Sequence, residues 1–178
     1  MAPQSGQDHQ SRAPRGSGHK YGLIGRTLAH SFSPGYFGDF FAREGIDASY
    51  LPYELASIEE LPSLLAREPD LCGLNVTLPY KREVLRYVDV PSPDVEALQA
   101  TNVLRIRRSA TGLTQVYGYN TDVEGFRRSL SIWLGGQRPR ALVFGSGGAA
   151  SAVLRALSLL GLEGQQVSRH PRQGMIAY

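Results

Sequence analysis

With 178 residues, 42% of them hydrophobic, the chain has material for one ordinary domain or two small ones. Its formal charge is +3, but Arg12, Arg15 and Lys20 against Asp8 put +2 of that into the first twenty residues; the rest is nearly neutral and has no basic stripe with interleaved aromatics, which argues against a nucleic-acid partner. No apolar run reaches the roughly 18 residues of a membrane span, and a lone cysteine, Cys72, can form neither an internal disulfide nor a zinc cluster, which fits a reducing compartment.

Residues 1–20 are mostly Gln, Ser, Gly, Pro and Arg, too polar to bury surface, and read as a disordered tail. They lack the apolar core of a secretory signal. From Tyr21 the pattern alternates. "YGLIG" is a strand, and "SPGYFGDFFAREG" a helix with Ser33 as N-cap, Pro34 at the first helical position and Gly45 as its stop. "ASYLPYEL" is a second strand and "IEELPSLLARE" a second helix, with Pro62 in its first turn. "CGLNVTL" is a third strand, whose apolar setting makes Cys72 a buried, inert thiol. "KREVLRYV" is a third, short helix. It places Lys81 just inside a helix start, at the mildly unfavourable positive end of the dipole.

After the loop "DVPSPD" come a short helix "VEALQ" and two strand-like runs, "NVLRIRR" and "LTQVYGYN", around the turn "SATG". "TDVEGFRRSLSIWL" is a helix with Thr121 and Glu124 spaced as a capping box, ended by Gly135 and Gly136. "ALVFGSGGAASAVLRALSLLG" is a strand, a glycine turn and an apolar helix; "QQVSR" is a last strand.

This order predicts the α/β class, parallel sheets covered by helices. It divides into an α/β unit over residues 21–105 and the start of a Rossmann-type unit over 106–178. In "VFGSGGAASA", Gly145, Gly147 and Ala150 match G-x-G-x-x-[GA] between a strand and a helix. Such glycines admit a pyrophosphate to the positive end of the helix, although glycine turns also serve plain strand–helix packing. The whole turn, Gly145, Ser146, Gly147, Gly148, Ala149 and Ala150, is the candidate cofactor contact. The P-loop pattern is absent from the sequence. The following strand ends in "VSRHPR" with no acidic residue to hold the ribose hydroxyls of NAD. Ser168, Arg169 and Arg172 suit a 2′-phosphate instead, because a guanidinium pairs with phosphate through two parallel bonds. NADP is favoured over NAD; the competing reading is a pair of solvated arginines.

Polar groups gather at the predicted strand ends, where parallel sheets hold their ligands: Ser31 and Ser33, then Asn75, Thr77 and Lys81, then Asn102, and finally Asn120, Thr121 and Asp122. Singly, each has an ordinary role. Ser33 and Thr121 serve as caps, Asp122 as a first-turn charge and His30 as a loop histidine.

Together, "HSFSP", "NVTLPYK", "ATNV", "GYNTD" and "GSGGAASA", in this order, resemble the shikimate dehydrogenase family, from Tyr21 to Tyr178. The resemblance implies a cytoplasmic, metal-free enzyme, monomer or homodimer, that reduces 3-dehydroshikimate to shikimate with NADPH in a cleft between a substrate domain and a Rossmann domain. By that resemblance Ser31 and Ser33 bind the substrate carboxylate with help from Thr77, Asn102 and Asp122 hold ring hydroxyls, and Lys81 is the catalytic lysine, held by Asp122. Either Lys81 or a water delivers the proton.

Three places depart from the family pattern: Phe37-Gly38 stands for its His-Asn, Asn102-Val103 for its Asn-Thr, and Ser168-Arg169-His170 for its Asn-Arg-Thr. The family's further β-α units would follow Tyr178. The expectation is therefore a C-terminally truncated member, inactive alone, with an exposed sheet edge and an uncovered apolar helix face in "AVLRALSLLGL". A quinate/shikimate dehydrogenase and a non-catalytic substrate-binding chain are the alternatives.

Overall fold

The computed structural model describes residues 18–178. Most of the tail lies outside the described residues, but His19 and Lys20 already belong to β1 (His19–Gly25), where Lys20 Nζ meets Glu68 at 2.8 Å. A six-stranded sheet has the order β2-β1-β3-β5-β6-β4, built from β1, β2 (Ala48–Glu54), β3 (Leu71–Val76), β4 (Val90–Pro91), β5 (Val103–Arg108) and β6 (Thr114–Tyr119). The strands β2, β1 and β3 run parallel as the alternation predicts, whereas β5 is antiparallel to both β3 and β6. The cause is local: Ser109 and Leu113 close a tight turn between β5 and β6, and a short hairpin can only join antiparallel strands. The sheet continues to Tyr119, so the boundary expected at residue 105 falls inside β5.

The helices of this part are α1 (Ser33–Glu44), α2 (Leu61–Arg67, entered through a 3₁₀ turn at Ile58–Glu60) and α3 (Pro93–Leu98). Ile58, Leu61 and Leu64 recur at three-residue spacing and form one apolar stripe. It packs with Ile24, Leu74, Leu104 and Tyr80 in the main core. Buried Tyr80 donates its hydroxyl to Leu55 O at 2.6 Å, so its one polar atom is satisfied. The α1 helix brings Phe37 and Phe41 against a smaller cluster of Leu23, Leu28 and Tyr50. At the far end of α2 the Arg108 guanidinium donates to Leu65 O and Glu68 O, where that helix stops, and to Leu71 O at the start of β3, all at 2.7–3.1 Å.

Beyond Tyr119, α4 (Thr121–Leu134) leads to a parallel three-stranded sheet, β7 (Ala141–Phe144), β8 (Gly164–Ser168) and β9 (Ile176–Ala177), with α5 (Gly148–Leu159) between β7 and β8. The apolar face of α5 is covered, contrary to expectation. Ala152 and Ala156 pack with Val123 of α4 and Leu98 of α3, and Leu157 packs with Val143. Uncovered apolar groups lie elsewhere, at Leu142 and Phe144 of β7 and at Ile132 and Trp133 near the end of α4, and on α5 only at Leu159. Arg155 Nε reaches Asp94 Oδ1 at 3.1 Å and ties α5 to α3. No described helix is long and apolar enough to cross a membrane.

Five local expectations change. Phe32, not Ser33, occupies the N-cap of α1, and Ser33 is its first helical residue. Asn120, not Thr121, caps α4 by accepting from Asp122 N at 3.2 Å. Glu124 makes no capping box; it pairs with Arg127 and Arg128, which pull its carboxyl down to about 2. The segment after Lys81 is only a 3₁₀ stretch, Glu83–Tyr87, so Lys81 sits in a turn and faces no α-helix dipole. Cys72 is half-buried at the entry of β3, 3.3 Å from His19 Nδ1, because β1 starts earlier than the sequence indicated.

Arg108→Met removes the guanidinium from three carbonyls, of which Glu68 O keeps the Leu71 N–H as a donor. It is expected to cost about 2 kcal/mol and, at about 2–4 °C per kcal/mol for a chain of this size, to lower Tm by about 4–8 °C in thermal unfolding. An unchanged Tm would show that water replaces the guanidinium at no cost.

Candidate active site

The antiparallel pair inside the sheet assembles the site. Because β5 runs against β3, its beginning lies at the carboxyl end of β3: Asn75 stands opposite Val103, and Val76 N donates to Asn102 O at 2.9 Å. The end of β6 arrives at the same place, with Asn102 N donating to Tyr119 O at 3.1 Å. Asn120, Thr121 and Asp122 follow directly. Residues from three strands and the start of α4 thus converge at one sheet edge.

Asn102 is buried and uses both ends of its amide there. Its Oδ1 accepts from Thr121 N at 2.9 Å, and its Nδ2 donates to Thr121 Oγ1 at 3.0 Å and to Asp122 Oδ1 at 2.9 Å. The other oxygen of Asp122 accepts from Lys81 Nζ at 2.9 Å. Lys81 is anchored at its backbone, where its carbonyl accepts from buried Thr101 N at 2.8 Å. Thr101 is itself held by its hydroxyl, which donates to Tyr119 O at 2.6 Å. The ion pair is 32% exposed on the lysine side and 44% on the aspartate side. An ion pair so open to water contributes little stability; its effect is to fix where the ammonium stands.

The ammonium stands at a cavity of about 240 Å³ lined by Ser31, Ser33, Phe37, Asn75, Thr77, Lys81 and Asn102. The loop that carries Ser31 is held by Leu28, whose N–H donates to Glu54 Oε1 at 2.6 Å and whose carbonyl accepts from Ser31 N at 2.8 Å. Gly25 allows Thr77 to come close: a Cβ there would lie 2.7 Å from Thr77 Cγ2. Asp122 does not line the cavity and stands behind Lys81. A larger hollow of about 660 Å³ lies between α1 and β5, among Tyr21, Phe41, Ile46, Cys72 and Ile106. It holds Arg105 and Arg107 but none of the strand-end hydroxyls.

At the glycine turn, Gly145 has φ 118°, a conformation that favours glycine, and its N–H donates to Val167 O at 2.9 Å. Gly147 caps α5 with no side-chain bond to the first amides, and open space surrounds Gly147 and Gly148. Ser146 and Ala149 are exposed beside them, and Ala150 is buried under the turn. Ser168 is buried at the end of β8, its hydroxyl accepting from His170 N at 3.2 Å; Arg169 and Arg172 are exposed.

Residues 23–104 match the family model described as the shikimate dehydrogenase substrate binding domain. The chain is 35% identical over 145 residues to the NADP(+) shikimate dehydrogenase of Caldicellulosiruptor saccharolyticus, covering 79% of this chain and 50% of that one. The corresponding values for the Syntrophomonas wolfei enzyme of the same name are 37% over 143 residues, 79% and 47%. Among solved structures, shikimate 5-dehydrogenase from Thermus thermophilus in complex with NADP(H) and shikimate superposes with a TM-score of 0.74 at 30% identity, covering 90% of this chain and 62% of that one. The chain belongs to the shikimate dehydrogenase family. It spans about half the length of the curated relatives it matches.

Within this chain, Ser31, Ser33, Thr77, Lys81 and Asn102 meet around one cavity, with Asp122 one bond behind. The glycine turn and Arg169 belong to the second sheet. Sequence reasoning noted Asn75 without assigning it a role and missed Tyr50. Tyr50 lies on β2, is 8% exposed, and donates its hydroxyl to Asn75 Oδ1 at 2.7 Å. Its signal in the sequence was faint: a hydroxyl at a core-facing position of a strand otherwise read only for apolar alternation.

Burial pushes the Tyr50 phenol up to about 12, against an opposing pull from the Ser33 hydroxyl. The neutral form is the one favoured by folding. Its contribution is therefore complete below the ~10 of an unfolded phenol and is lost as pH rises through about 12. Denaturant unfolding across that range should show wild type losing more stability than Tyr50→Phe. Equal losses would mean that another group carries the alkaline transition.

Proposed function

We propose that this chain forms the substrate site and the cofactor turn of an NADP-dependent shikimate dehydrogenase, which reduces 3-dehydroshikimate reversibly to shikimate on the route to chorismate and the aromatic amino acids. The observation that carries this reading is the Lys81 ammonium, held 2.9 Å from Asp122 at the mouth of a cavity lined by hydroxyls and amides. In this reading the hydroxyls of Ser31, Ser33 and Thr77 bind the ligand carboxylate, Asn102 faces its ring hydroxyls from the cavity wall through the second lone pair of its amide oxygen, and Asp122, behind Lys81, acts on them through the ammonium it holds. The substrate part runs to Tyr119 and the cofactor part begins with α4. A biosynthetic role of this kind places the protein in the cytoplasm.

The fit to NADP rests on the uncapped start of α5 with open space at Gly147 and Gly148, which suits a pyrophosphate, and on the exposed guanidiniums of Arg169 and Arg172 at the end of β8 for a 2′-phosphate. When bound, the reduced nicotinamide would supply the hydride. Lys81 acts on the substrate oxygen. As the carbonyl carbon gains hydride, that oxygen gains negative charge, and a fixed ammonium stabilises the charge more than it stabilises the neutral ketone. The oxygen then takes a proton from Lys81 or from water. Asp122 and Asn102 ensure that the ammonium need not be brought into place during the reaction.

Calorimetry with shikimate tests the reading on this chain, and a Kd within the ~1 μM–1 mM range of ordinary substrates is expected. Lys81→Ala should change that Kd only a few-fold. In a form of the protein that turns over, it should lower kcat by at least about 10²-fold. Wild-type turnover by the variant would remove Lys81 from the chemistry, and no shikimate binding by the wild-type chain would remove the substrate.

A further inference from the structure

Asn75 stands in the wall between the two hollows, and it lines both of them. Tyr50 lines only the larger. The Tyr50 ring has little freedom: it stacks on Phe37 at 4.7 Å between centroids and 19° between planes, and it packs with Leu23 and Leu28. Its hydroxyl donates to Asn75 Oδ1 at 2.7 Å. Because that hydroxyl gives its one proton to Oδ1, the amide oxygen faces Tyr50. The Asn75 N–H₂ donates to no described residue, and Asn75 lines the smaller cavity as well as the larger.

The direction of an amide matters at this place. The side chains beside it, Ser31, Ser33, Thr77 and Lys81, can all donate, which suits a carboxylate. An amide turned the other way would present a carbonyl oxygen to the same anion and repel it. Nothing in Asn75 itself prevents that flip, because the two ends of an amide are nearly the same size.

We propose that Tyr50 is a positioning residue, whose hydroxyl holds the Asn75 amide with its N–H₂ toward the small cavity so that it donates to the ligand carboxylate. This rests on the reading of that cavity as a shikimate site. Phe37 has a share in the arrangement, since the stack that fixes the Tyr50 ring is made by the residue that stands where the family pattern has histidine.

The test is a double-mutant cycle on the whole chain, with shikimate affinity measured by calorimetry and the Asn75 side-chain amide followed by ¹⁵N–¹H NMR. Tyr50→Phe is expected to weaken shikimate about tenfold and to shift the Asn75 amide pair before any ligand is added. Asn75→Ala should weaken binding at least as much, and the double variant should be no weaker than Asn75→Ala alone, because Tyr50 acts through that amide. Unchanged affinity in Tyr50→Phe, or losses that multiply in the double variant, would overturn the proposal. If wild type binds no shikimate, the substrate reading fails, and the amide spectrum decides alone: a shifted Asn75 pair in Tyr50→Phe upholds the positioning, an unmoved pair ends it. Should Tyr50→Phe not fold, Asn75→Asp serves in its place. It keeps an acceptor for the Tyr50 hydroxyl and removes the N–H₂, so it should fold and lose more than tenfold in affinity; binding as tight as wild type would overturn the proposal.

Discussion

One buried amide, that of Asn102, joins the parts of the site. It bonds to Thr121 through both its ends and to Asp122 through its nitrogen, and Asp122 in turn holds Lys81. A buried side-chain amide left without partners is costly, so the start of α4 must stay where these bonds are met. The Lys81–Asp122 pair is too exposed to organise anything by its own attraction. It takes its geometry from the uncharged network beneath it: Asn102, Asn120 capping α4, and Thr101 under the Lys81 carbonyl.

That network exists because the sheet is mixed. In an all-parallel sheet the start of one strand lies far from the end of its neighbour. Inserting the antiparallel β5 between β3 and β6 brings the beginning of β5 to the ends of both. Residues separated by more than forty positions, Lys81 and Asp122, then meet within a hydrogen bond. The same hairpin extends the first sheet past the point where the alternation of elements suggests a change of unit.

Much of this was legible in the sequence, and the remainder was hidden for physical reasons. Elements with strong apolar periodicity, such as "IEELPSLLARE" with Ile58, Leu61 and Leu64 buried, are readable because the periodicity is the packing. The direction of β5 and β6 was not legible, since alternation of hydrophobicity carries no sign of direction. The caps were misplaced by one residue, at Ser33 and at Thr121: at α4 the adjacent Asn120 is an equally competent cap, whereas at α1 Phe32 takes the position with no side-chain bond. Those shifts have a consequence for the site. The Ser33 hydroxyl is not used in a cap, and Thr121 bonds to Asn102 instead of to its own helix. Tyr50 was invisible for another reason: its role lies in the direction of a hydroxyl across two strands, and a one-dimensional pattern has no term for that.

The small polar cavity, and not the larger apolar hollow beside it, receives the ligand in this account, and every role given to Lys81, Asn102 and Asn75 depends on that choice. Titrating shikimate into isotopically labelled protein tests it residue by residue. The account predicts that chemical-shift changes concentrate at Ser31, Asn75, Thr77 and Asn102, with the far side of the larger hollow, at Cys72, Ile106 and Arg107, unaffected. Changes centred on Cys72, Ile106 and Arg107, or none at Thr77 and Asn102 under saturating shikimate, would contradict it.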